Sequence, residues 1–179
     1  MTIQEIFTAR HEHPSDHPWP DIFEHMPTLR RYAEQVSHIT EFGTRSGNST
    51  TAFLAGLATN GGNLVSYDIA QTDFTPPAIP GVTWRFTQQD TGAKDLQIAP
   101  TDLLFIDSLH EYDHIMREFR HAQMASRWII MHDTGVDWIK CGGRGVIDAL
   151  TAFLSRHRGW RIKEQFENCN GLTVLERVT

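Results

Sequence analysis

Short apolar runs alternate with helix-like segments along most of this chain, and no other feature constrains its fold as strongly. The clearest run is "DLLFID" (102–107), in which four apolar residues are followed by an acid. A continuous apolar run of this length is typical of a parallel strand that is covered on both faces. The alternation of such strands with helices predicts an α/β domain whose parallel sheet carries helices on both sides.

The predicted elements follow one another in a regular order. Strands are predicted over 37–43, 63–69, 81–90, 102–107, 127–133, 159–166 and 171–178. Helices are predicted over 21–36, where Pro27 should cause a split, and over 48–59, 110–124 and 144–157. Three prolines make 69–81 a loop. The last two strands are joined by a short turn and must be antiparallel, since a parallel crossover needs a dozen or more residues. We therefore expect seven strands with an antiparallel C-terminal hairpin.

Composition limits the classes of partner. The chain has 179 residues, a length typical of one domain, and a net charge of −6, which argues against a mainly electrostatic hold on nucleic acid or anionic membrane. No apolar stretch approaches the ~20 residues of a membrane span, and the N-terminus lacks the features of a signal peptide. The two cysteines, Cys141 and Cys169, form no CxxC pattern. We therefore expect a cytoplasmic protein.

The N-terminal segment is polar and rich in histidine. His11, His13 and His17 lie within the first 20 residues together with three prolines. Such a tract is either a metal-binding segment or a loosely ordered lead-in, and we favour the second. Residues 1–36 are thus predicted to form a lead-in and helix that could act as a lid over residues 37–179.

The first predicted strand leads into a turn that contains two glycines. Glu41 stands near the end of this strand, and Gly43 and Gly47 follow before the next helix begins. Asp68 ends the second strand, and Gln89 and Asp90 follow the third. Ligands bind at the carboxyl ends of parallel strands, and glycines let a ligand approach the backbone closely. The G-x-G-x-x-G and P-loop patterns are absent, so the turn favours a nucleoside cofactor without a pyrophosphate.

These motifs carry a resemblance. "EFGTRSG" followed by "VSYDI" resembles the first two motifs of class I S-adenosylmethionine-dependent methyltransferases. "DLLFIDSLHEYDHIMREFRHA", "IIMHDT" and "GLTVL" resemble a branch of small O-methyltransferases that includes macrolide-sugar and rhamnosyl O-methyltransferases and cephalosporin-hydroxylase-like proteins. The resemblance covers about residues 38–177 and implies a Rossmann-like methyltransferase domain over 37–179.

The resemblance also implies a cofactor site. Glu41, Gly43 and Gly47 would wrap the methionine part of S-adenosylmethionine, Asp68 would hold its ribose, and Gln89 and Asp90 would flank its adenine. The predicted cofactor-binding residues are Glu41, Gly43, Thr44, Arg45, Ser46, Gly47, Asp68, Gln89, Asp90 and Asp107. The alternative is structural: the glycines would only form a tight turn, and Asp68 would only cap it.

A second constellation follows the fourth and fifth strands. Asp107 ends the fourth strand, and His132 and Asp133 end the fifth. Carboxylate pairs suit a divalent cation, magnesium or manganese, which would hold an acceptor hydroxyl and lower its pKa. In the resembling enzymes, metal ligands occupy the positions of Asp107 and Asp133, and an acid often stands where this chain has His132. Histidine suits manganese, iron or zinc better than magnesium, so His132 is either a third ligand or a hydrogen-bonding residue.

His110 is the predicted base. It lies three residues after Asp107, and a neutral imidazole can remove a hydroxyl proton near pH 7. In the resembling family the histidine of this D-x-x-H pattern has that role. The predicted catalytic residues are therefore His110 and Asp107. Trp138 and Lys140, in the loop after the fifth strand, are weaker candidates for contact with the acceptor.

The sequence thus predicts an S-adenosylmethionine-dependent O-methyltransferase that acts on a hydroxyl of a small molecule, a sugar or a natural product, with a metal as an optional aid. Two other functions stay open: a non-catalytic S-adenosylmethionine-binding module, and a metal-dependent hydrolase on the same kind of sheet. The sequence is compatible with a homodimer.

Overall fold

The computed structural model of this chain describes residues 1–17, 21–135 and 144–178. Seven strands form one sheet in these ranges, as predicted. They are β1 (His38–Phe42), β2 (Gly62–Asp68), β3 (Val82–Gln88), β4 (Thr101–Ile106), β5 (Ala125–His132), β6 (Trp160–Phe166) and β7 (Leu172–Arg177). Their order across the sheet is β3-β2-β1-β4-β5-β7-β6.

The pairing confirms a mostly parallel sheet with an antiparallel end. β1 lies between β2 and β4 and is parallel to both, while β7 is antiparallel to both β5 and β6. The chain moves outward from β1 to β3 and then returns to place β4 on the other side of β1. A crevice for a ligand is expected outside the carboxyl ends of strands at such a reversal, and here the reversal lies between β1 and β4.

Helices cover both faces of the sheet. They are α1 (Ile3–Glu12), α2 (Met26–Ala33), α3 (Asn48–Leu57), α4 (Tyr112–Glu118) and α5 (Arg144–Arg156). Buried side chains of α1, α2 and α3 share one apolar cluster with one face of the sheet, and those of α4 and α5 share a second cluster with the other face. None of the helices in the described ranges has the length and apolarity needed to cross a membrane.

Two helical predictions need correction in detail. The segment predicted as a helix over 21–36 begins as a 3-10 turn (Phe23–His25), and Pro27 lies in the first turn of α2, where a missing N–H costs nothing. The helix predicted over 110–124 is α-helical only to Glu118 and continues as a 3-10 helix (Phe119–Met124). The helix predicted over 48–59 has Gly47 as its N-cap residue, which has no side chain to cap it.

The first residues form a regular helix that sequence analysis did not predict. Thr2 and Glu5 make a capping box at the start of α1, in which each side chain bonds the backbone N–H of the other residue. Ile3 and Phe7 are buried against α3 and the rest of the first apolar cluster. The N-terminal helix is therefore packed on the sheet domain as part of its core.

Candidate active site

A cavity of about 520 Å³ opens at the carboxyl ends of β1, β2 and β4. Eight of the predicted site residues line it: Gly43, Thr44, Arg45, Ser46, Asp68, Asp90, Asp107 and His110. Among the described residues, the other predicted ones do not line it: Glu41, Gly47, Gln89, His132 and Asp133. The cavity therefore brings the glycine turn and the Asp107–His110 pair to one place.

The glycine turn needs its two glycines for backbone reasons. Gly43 has φ +93°, and a Cβ atom on it would lie 1.8 Å from the carbonyl oxygen of Asp107. Gly47 has φ +81°, and a Cβ atom there would lie 2.4 Å from the ring of Phe74. Positive φ and such close approach are both costly for any other residue. Gly43 thus lets the turn after β1 lie directly against Asp107 at the end of β4, which brings the turn next to the Asp107–His110 pair.

Asp68 fixes the shape of this turn. Its Oδ2 accepts hydrogen bonds from the backbone N–H groups of Thr44 (2.8 Å) and Arg45 (2.9 Å), and its Oδ1 accepts one from the N–H of Ala70 (2.9 Å). The structural alternative considered for Asp68 is therefore realised in this structure. The carboxylate still lies in the cavity wall, and a contact with a ribose stays a prediction.

Glu41 is completely buried beneath the turn. Its Oε1 accepts a hydrogen bond from Ser49 (2.6 Å), and its Oε2 accepts bonds from Thr50 (2.8 Å) and Ser66 (2.5 Å). Burial raises the pKa of this carboxyl to about 7, although the three hydroxyl groups oppose the shift. Glu41 thus ties β1 to the first turn of α3 and to β2. Its predicted contact with the methionine part of a cofactor remains untested.

The opposite end of the cavity holds residues that sequence analysis did not single out. Thr91, Ser108 and His114 line the cavity, and all three bond Oε1 of Glu118, at 2.5, 2.5 and 3.2 Å respectively. Glu118 is fully buried. One carboxylate on α4 therefore fixes side chains from the loops after β3 and β4. Thr91 and Ser108 directly follow the predicted site residues Asp90 and Asp107 in the chain, and this adjacency is the only feature of the sequence that could have indicated them.

Apolar side chains frame the cavity mouth. Ile69 and Leu109 line it and are 73% and 51% exposed, which is unusual for side chains of this size. Ile22 also lines the cavity, together with Asp21, whose carboxylate lies 3.1 Å from Nη1 of Arg45. The N-terminal segment therefore forms part of the wall.

Two carboxylates and two histidines meet at the ends of β4 and β5. Nε2 of His110 lies 2.8 Å from Oδ2 of Asp133 and 3.7 Å from Oδ1 of Asp107. Nδ1 of His132 lies 3.4 Å from one oxygen of each carboxylate. Nε2 of His132 donates a hydrogen bond to the carbonyl oxygen of Cys169 (2.9 Å). The structure thus brings all four predicted residues of this constellation together.

The four groups shift each other's pKa values. Burial alone would lower the pKa of both histidines, but the two carboxylates outweigh it, raising the pKa of His110 to about 9 and that of His132 well above its usual value. Burial would raise the pKa of Asp107 and Asp133, and the histidines outweigh it and lower both. These shifts favour the charged form of all four groups when no cation is present.

The arrangement also fits a divalent cation. One ligand atom each from Asp107, His110 and Asp133 lies within 4.8 Å of the other two. Oδ1 of Asp133 is buried and has no hydrogen-bond partner within the described part of the chain, an expensive state for a carboxylate oxygen that a cation would relieve. This set contains His110, whereas the predicted metal ligands were Asp107, His132 and Asp133. Trp138 and Lys140 lie outside the described residues.

The model of a family described as a methyltransferase domain matches residues 40–134, more than half of the chain. This range runs from β1 to the end of the His132–Asp133 segment. No curated protein matches significantly.

Solved structures resemble the whole chain in fold. The S-adenosylhomocysteine-bound methyltransferase PaMTH1 of Podospora anserina has a TM-score of 0.64 at 15% identity, covering 99% of this chain and 88% of that one. The O-methyltransferase TomG of Streptomyces achromogenes, bound to S-adenosylmethionine, has a TM-score of 0.61 at 17% identity, covering 99% and 89%. MycE, from mycinamycin biosynthesis, bound to Mg, S-adenosylhomocysteine and mycinamycin VI, has a TM-score of 0.64 at 16% identity, but covers 99% of this chain and 55% of MycE. These likenesses confirm the predicted Rossmann-like fold.

Proposed function

We propose that this chain, which belongs to the methyltransferase-domain family, transfers a methyl group from S-adenosylmethionine to a hydroxyl oxygen of a small molecule. The family assignment agrees with the class predicted from the sequence, an S-adenosylmethionine-dependent methyltransferase. The single observation that carries the specific reaction is the contact between Gly43 and the carbonyl of Asp107. This contact supports the proposal, because the turn expected to hold the methyl donor and the proposed proton acceptor line the same cavity.

The proposed cofactor pose follows the cavity wall. The methionine end lies against Thr44 and Ser46, close to the uncapped start of α3, where backbone N–H groups and the helix dipole favour a carboxylate. The ribose lies beside Asp68. The adenine lies between the exposed side chain of Ile69 and the Asp90–Thr91 segment. This order directs the methyl group toward Asp107 and His110.

His110 is the proposed base. The hydroxyl proton of the acceptor passes to the imidazole of His110, and the imidazolium that forms is stabilised at Nε2 by Asp133, at 2.8 Å, and by Asp107. The oxygen then displaces the sulfur of the cofactor at the methyl carbon, so that a C–O bond forms as the C–S bond breaks. Because the pKa of His110 is raised to about 9 without a cation, only a minor fraction of the enzyme would be competent at pH 7 in that state.

A divalent cation at Asp107 and Asp133 is proposed as an aid to this step. When bound, it would supply positive charge that lowers the pKa of the acceptor hydroxyl and removes the electrostatic reason for the two histidines to stay protonated. His110 has two competing uses here, as a ligand or as a base, and one nitrogen cannot serve both at once. His132 is fixed by Cys169 through Nε2, so its Nδ1 faces the carboxylates in either case.

The acceptor is proposed to be a hydroxylated sugar or natural product. The fold neighbours TomG and MycE come from tomaymycin synthesis and the mycinamycin pathway, and the exposed Ile69 and Leu109 suit an acceptor with an apolar body. Residues 1–36 would contribute a wall for this acceptor, since Asp21 and Ile22 line the cavity. A cytoplasmic location and a homodimer remain predictions, and sedimentation would test the latter.

The first experiment is calorimetric titration of the protein with S-adenosylhomocysteine in chelator and again with magnesium or manganese. Micromolar binding is expected, and Asp68→Ala should weaken it by tenfold or more, because the variant loses both the predicted ribose contact and the hydrogen bonds that shape the turn. Asp73→Ala, an exposed acid in the loop after β2, is the matched control. No binding by the wild-type protein under any condition would remove the proposal.

Turnover separates the remaining alternatives. With bound cofactor and a panel of hydroxylated acceptors, Asp107→Asn and His110→Gln should each lose turnover by about a hundredfold or more while keeping affinity for S-adenosylhomocysteine. Cofactor binding without turnover on any acceptor would favour the non-catalytic module. Metal-dependent hydrolysis that persists in Asp68→Ala would favour the hydrolase.

A further inference from the structure

Arg10 of α1 reaches across to the glycine turn. Its Nη1 donates a hydrogen bond to the carbonyl oxygen of Ser46 (2.9 Å) and another to Oδ1 of Asn48 (2.5 Å). Its guanidinium lies over the ring of Phe74, 5.1 Å from the centroid, and the same ring lies against Gly47. One side chain from outside the family-matched region therefore contacts the turn at its backbone, at the first residue of α3, and through the ring that supports it.

The position of Arg10 is electrostatically unusual. Burial lowers the pKa of its guanidinium, with no carboxylate partner opposing the shift, and Nε is buried without a hydrogen-bond partner within the described residues. The N-terminal end of α3, which Arg10 adjoins, is itself the positive end of a helix dipole. Two positive features thus lie side by side, and a negatively charged ligand group is the natural complement of such a pair.

The partners of Arg10 lie in the cavity wall. Ser46 and Asn48 both line the cavity that is proposed to hold the methionine end of the cofactor. The carbonyl oxygen of the Asn48 side chain accepts the bond from Arg10, and its NH₂ group donates to the hydroxyl oxygen of Ser46 (3.4 Å), which also lines the cavity. Arg10 thereby fixes which way this amide points as well as the carbonyl of Ser46.

We propose that Arg10 is a positioning residue for the amino-acid end of S-adenosylmethionine, acting through Asn48 and Ser46 and adding positive charge near the cofactor carboxylate. This inference rests on the proposed function and adds a residue that lies on the N-terminal helix. It also makes α1 a part of the cofactor site. The position of this helix is fixed at its other end by a hydrogen bond from the side chain of Gln4 to the carbonyl oxygen of Ala55 in α3 (2.9 Å).

The test compares two ligands in one set of variants. S-adenosylhomocysteine carries the amino-acid part, and 5′-methylthioadenosine lacks it but keeps the adenosine and the thioether. Arg10→Ala should weaken calorimetric binding of S-adenosylhomocysteine by about tenfold or more, the usual effect of losing hydrogen bonds from a charged group, and leave binding of 5′-methylthioadenosine within twofold. Arg30→Ala is the matched control, since Arg30 also stacks on a phenylalanine, Phe7, at 5.1 Å, but does not contact the turn.

A second variant guards against a folding defect. Asn48→Ala should show the same selective loss, and the Arg10→Ala/Asn48→Ala double variant should lose less affinity for S-adenosylhomocysteine than the two single losses combined, because Asn48 is one of the two residues through which Arg10 acts. Equal losses for both ligands, additive losses, or no loss in Arg10→Ala would each overturn the inference while wild-type binding upholds the proposed function. Failure of the wild-type protein to bind S-adenosylhomocysteine would overturn both.

Discussion

At the scale of single residues, Glu41 shows how a buried carboxylate can be a structural group at a ligand site. Three hydroxyl groups satisfy its oxygens, yet complete burial still raises its pKa to about 7. A carboxyl whose pKa is raised on folding binds more protons in the folded state, so its contribution to stability is fully present below about pH 4.5. That contribution is lost as the pH rises through 7.

Glu41→Gln should therefore change the pH dependence of stability. The amide keeps the size of the side chain but does not ionise, so the stability of the variant relative to wild type should improve between pH 5 and pH 8 by on the order of 2 kcal/mol. Denaturant melts at both pH values measure it. Glu12→Gln, at an exposed acid, is the control. A constant difference between Glu41→Gln and wild type across this range would contradict the raised pKa.

The histidine–carboxylate group makes a second prediction at this scale. In the metal-free protein the two carboxylates outweigh burial, raising the pKa of His110 to about 9 and that of His132 above its usual value, so both histidines hold their protons more tightly than a free imidazole does. Manganese bound at Asp107 and Asp133 should displace these protons, so its affinity should rise from pH 6.5 to 9. Titrations in buffers of different ionisation enthalpy count the protons released.

Variants identify which histidine releases protons when manganese binds. His110→Gln should release fewer protons than wild type on manganese binding, and His157→Gln, at an exposed histidine of the loop after α5, should release the same number. Asp133→Asn should bind manganese at least tenfold more weakly, since a buried ligand oxygen is lost. Manganese affinity that is independent of pH would show that the cation binds elsewhere.

At the scale of elements, α1 is the clearest departure from the sequence-based expectation. Residues 1–36 were predicted to be a lead-in that could act as a lid, but Ile3 and Phe7 of α1 belong to the core. Phe7→Ala should destabilise the protein by about 3 kcal/mol, since it removes a buried aromatic ring and leaves a cavity. The midpoint of thermal unfolding should fall by roughly 6–12 °C.

The control for this change is an apolar side chain on the surface. Ile162→Ala, at a position of β6 that is 45% exposed, should shift the midpoint by no more than about 2 °C. Unfolding of Phe7→Ala at the wild-type temperature would mean that α1 is detached from the core in solution. It would also remove the structural basis for the role proposed for Arg10.

The features of this fold that depend on local patterns could be predicted from the sequence, and those that depend on contacts between distant residues could not. The strands were predictable because buried parallel strands read as continuous apolar runs, as in Leu103–Ile106 of β4. α1 was missed because only Ile3 and Phe7 carry its apolar face, although the pattern Thr2-x-x-Glu5 was a readable capping box. The burial of Glu41 could not be foreseen, since Ser66 lies on another strand and Ser49 and Thr50 act only after α3 has docked.

At the scale of the whole molecule, the sheet has one role at its carboxyl edge, where the parallel strands end, and another at the opposite edge, where they begin. The carboxyl edge carries the cavity between the β1–β3 half and the β4–β7 half. At the opposite edge Asp102 accepts hydrogen bonds from the N–H groups of Ser37 and His38 and from the hydroxyl of Ser126. These bonds tie together the starts of β1, β4 and β5 and lower the pKa of Asp102, although burial alone would raise it. One edge is therefore closed by the protein itself, and the other offers room for a ligand.

Hydrogen exchange should report this asymmetry. Saturating S-adenosylhomocysteine should slow amide exchange in segments 43–49, 68–72, 90–92 and 107–110, which supply the cavity wall, because a ligand that binds only the folded form suppresses local opening. Segments 37–38, 101–102 and 125–127 should show little change beyond the general stabilisation, since they are already tied by Asp102. Arg10→Ala should reduce the protection of 43–49 while leaving that of 90–92 intact, because only the amino-acid end of the cofactor would be loosened. Uniform protection of both edges would instead indicate that the ligand acts through global stability and not through the cavity at the carboxyl ends of β1, β2 and β4.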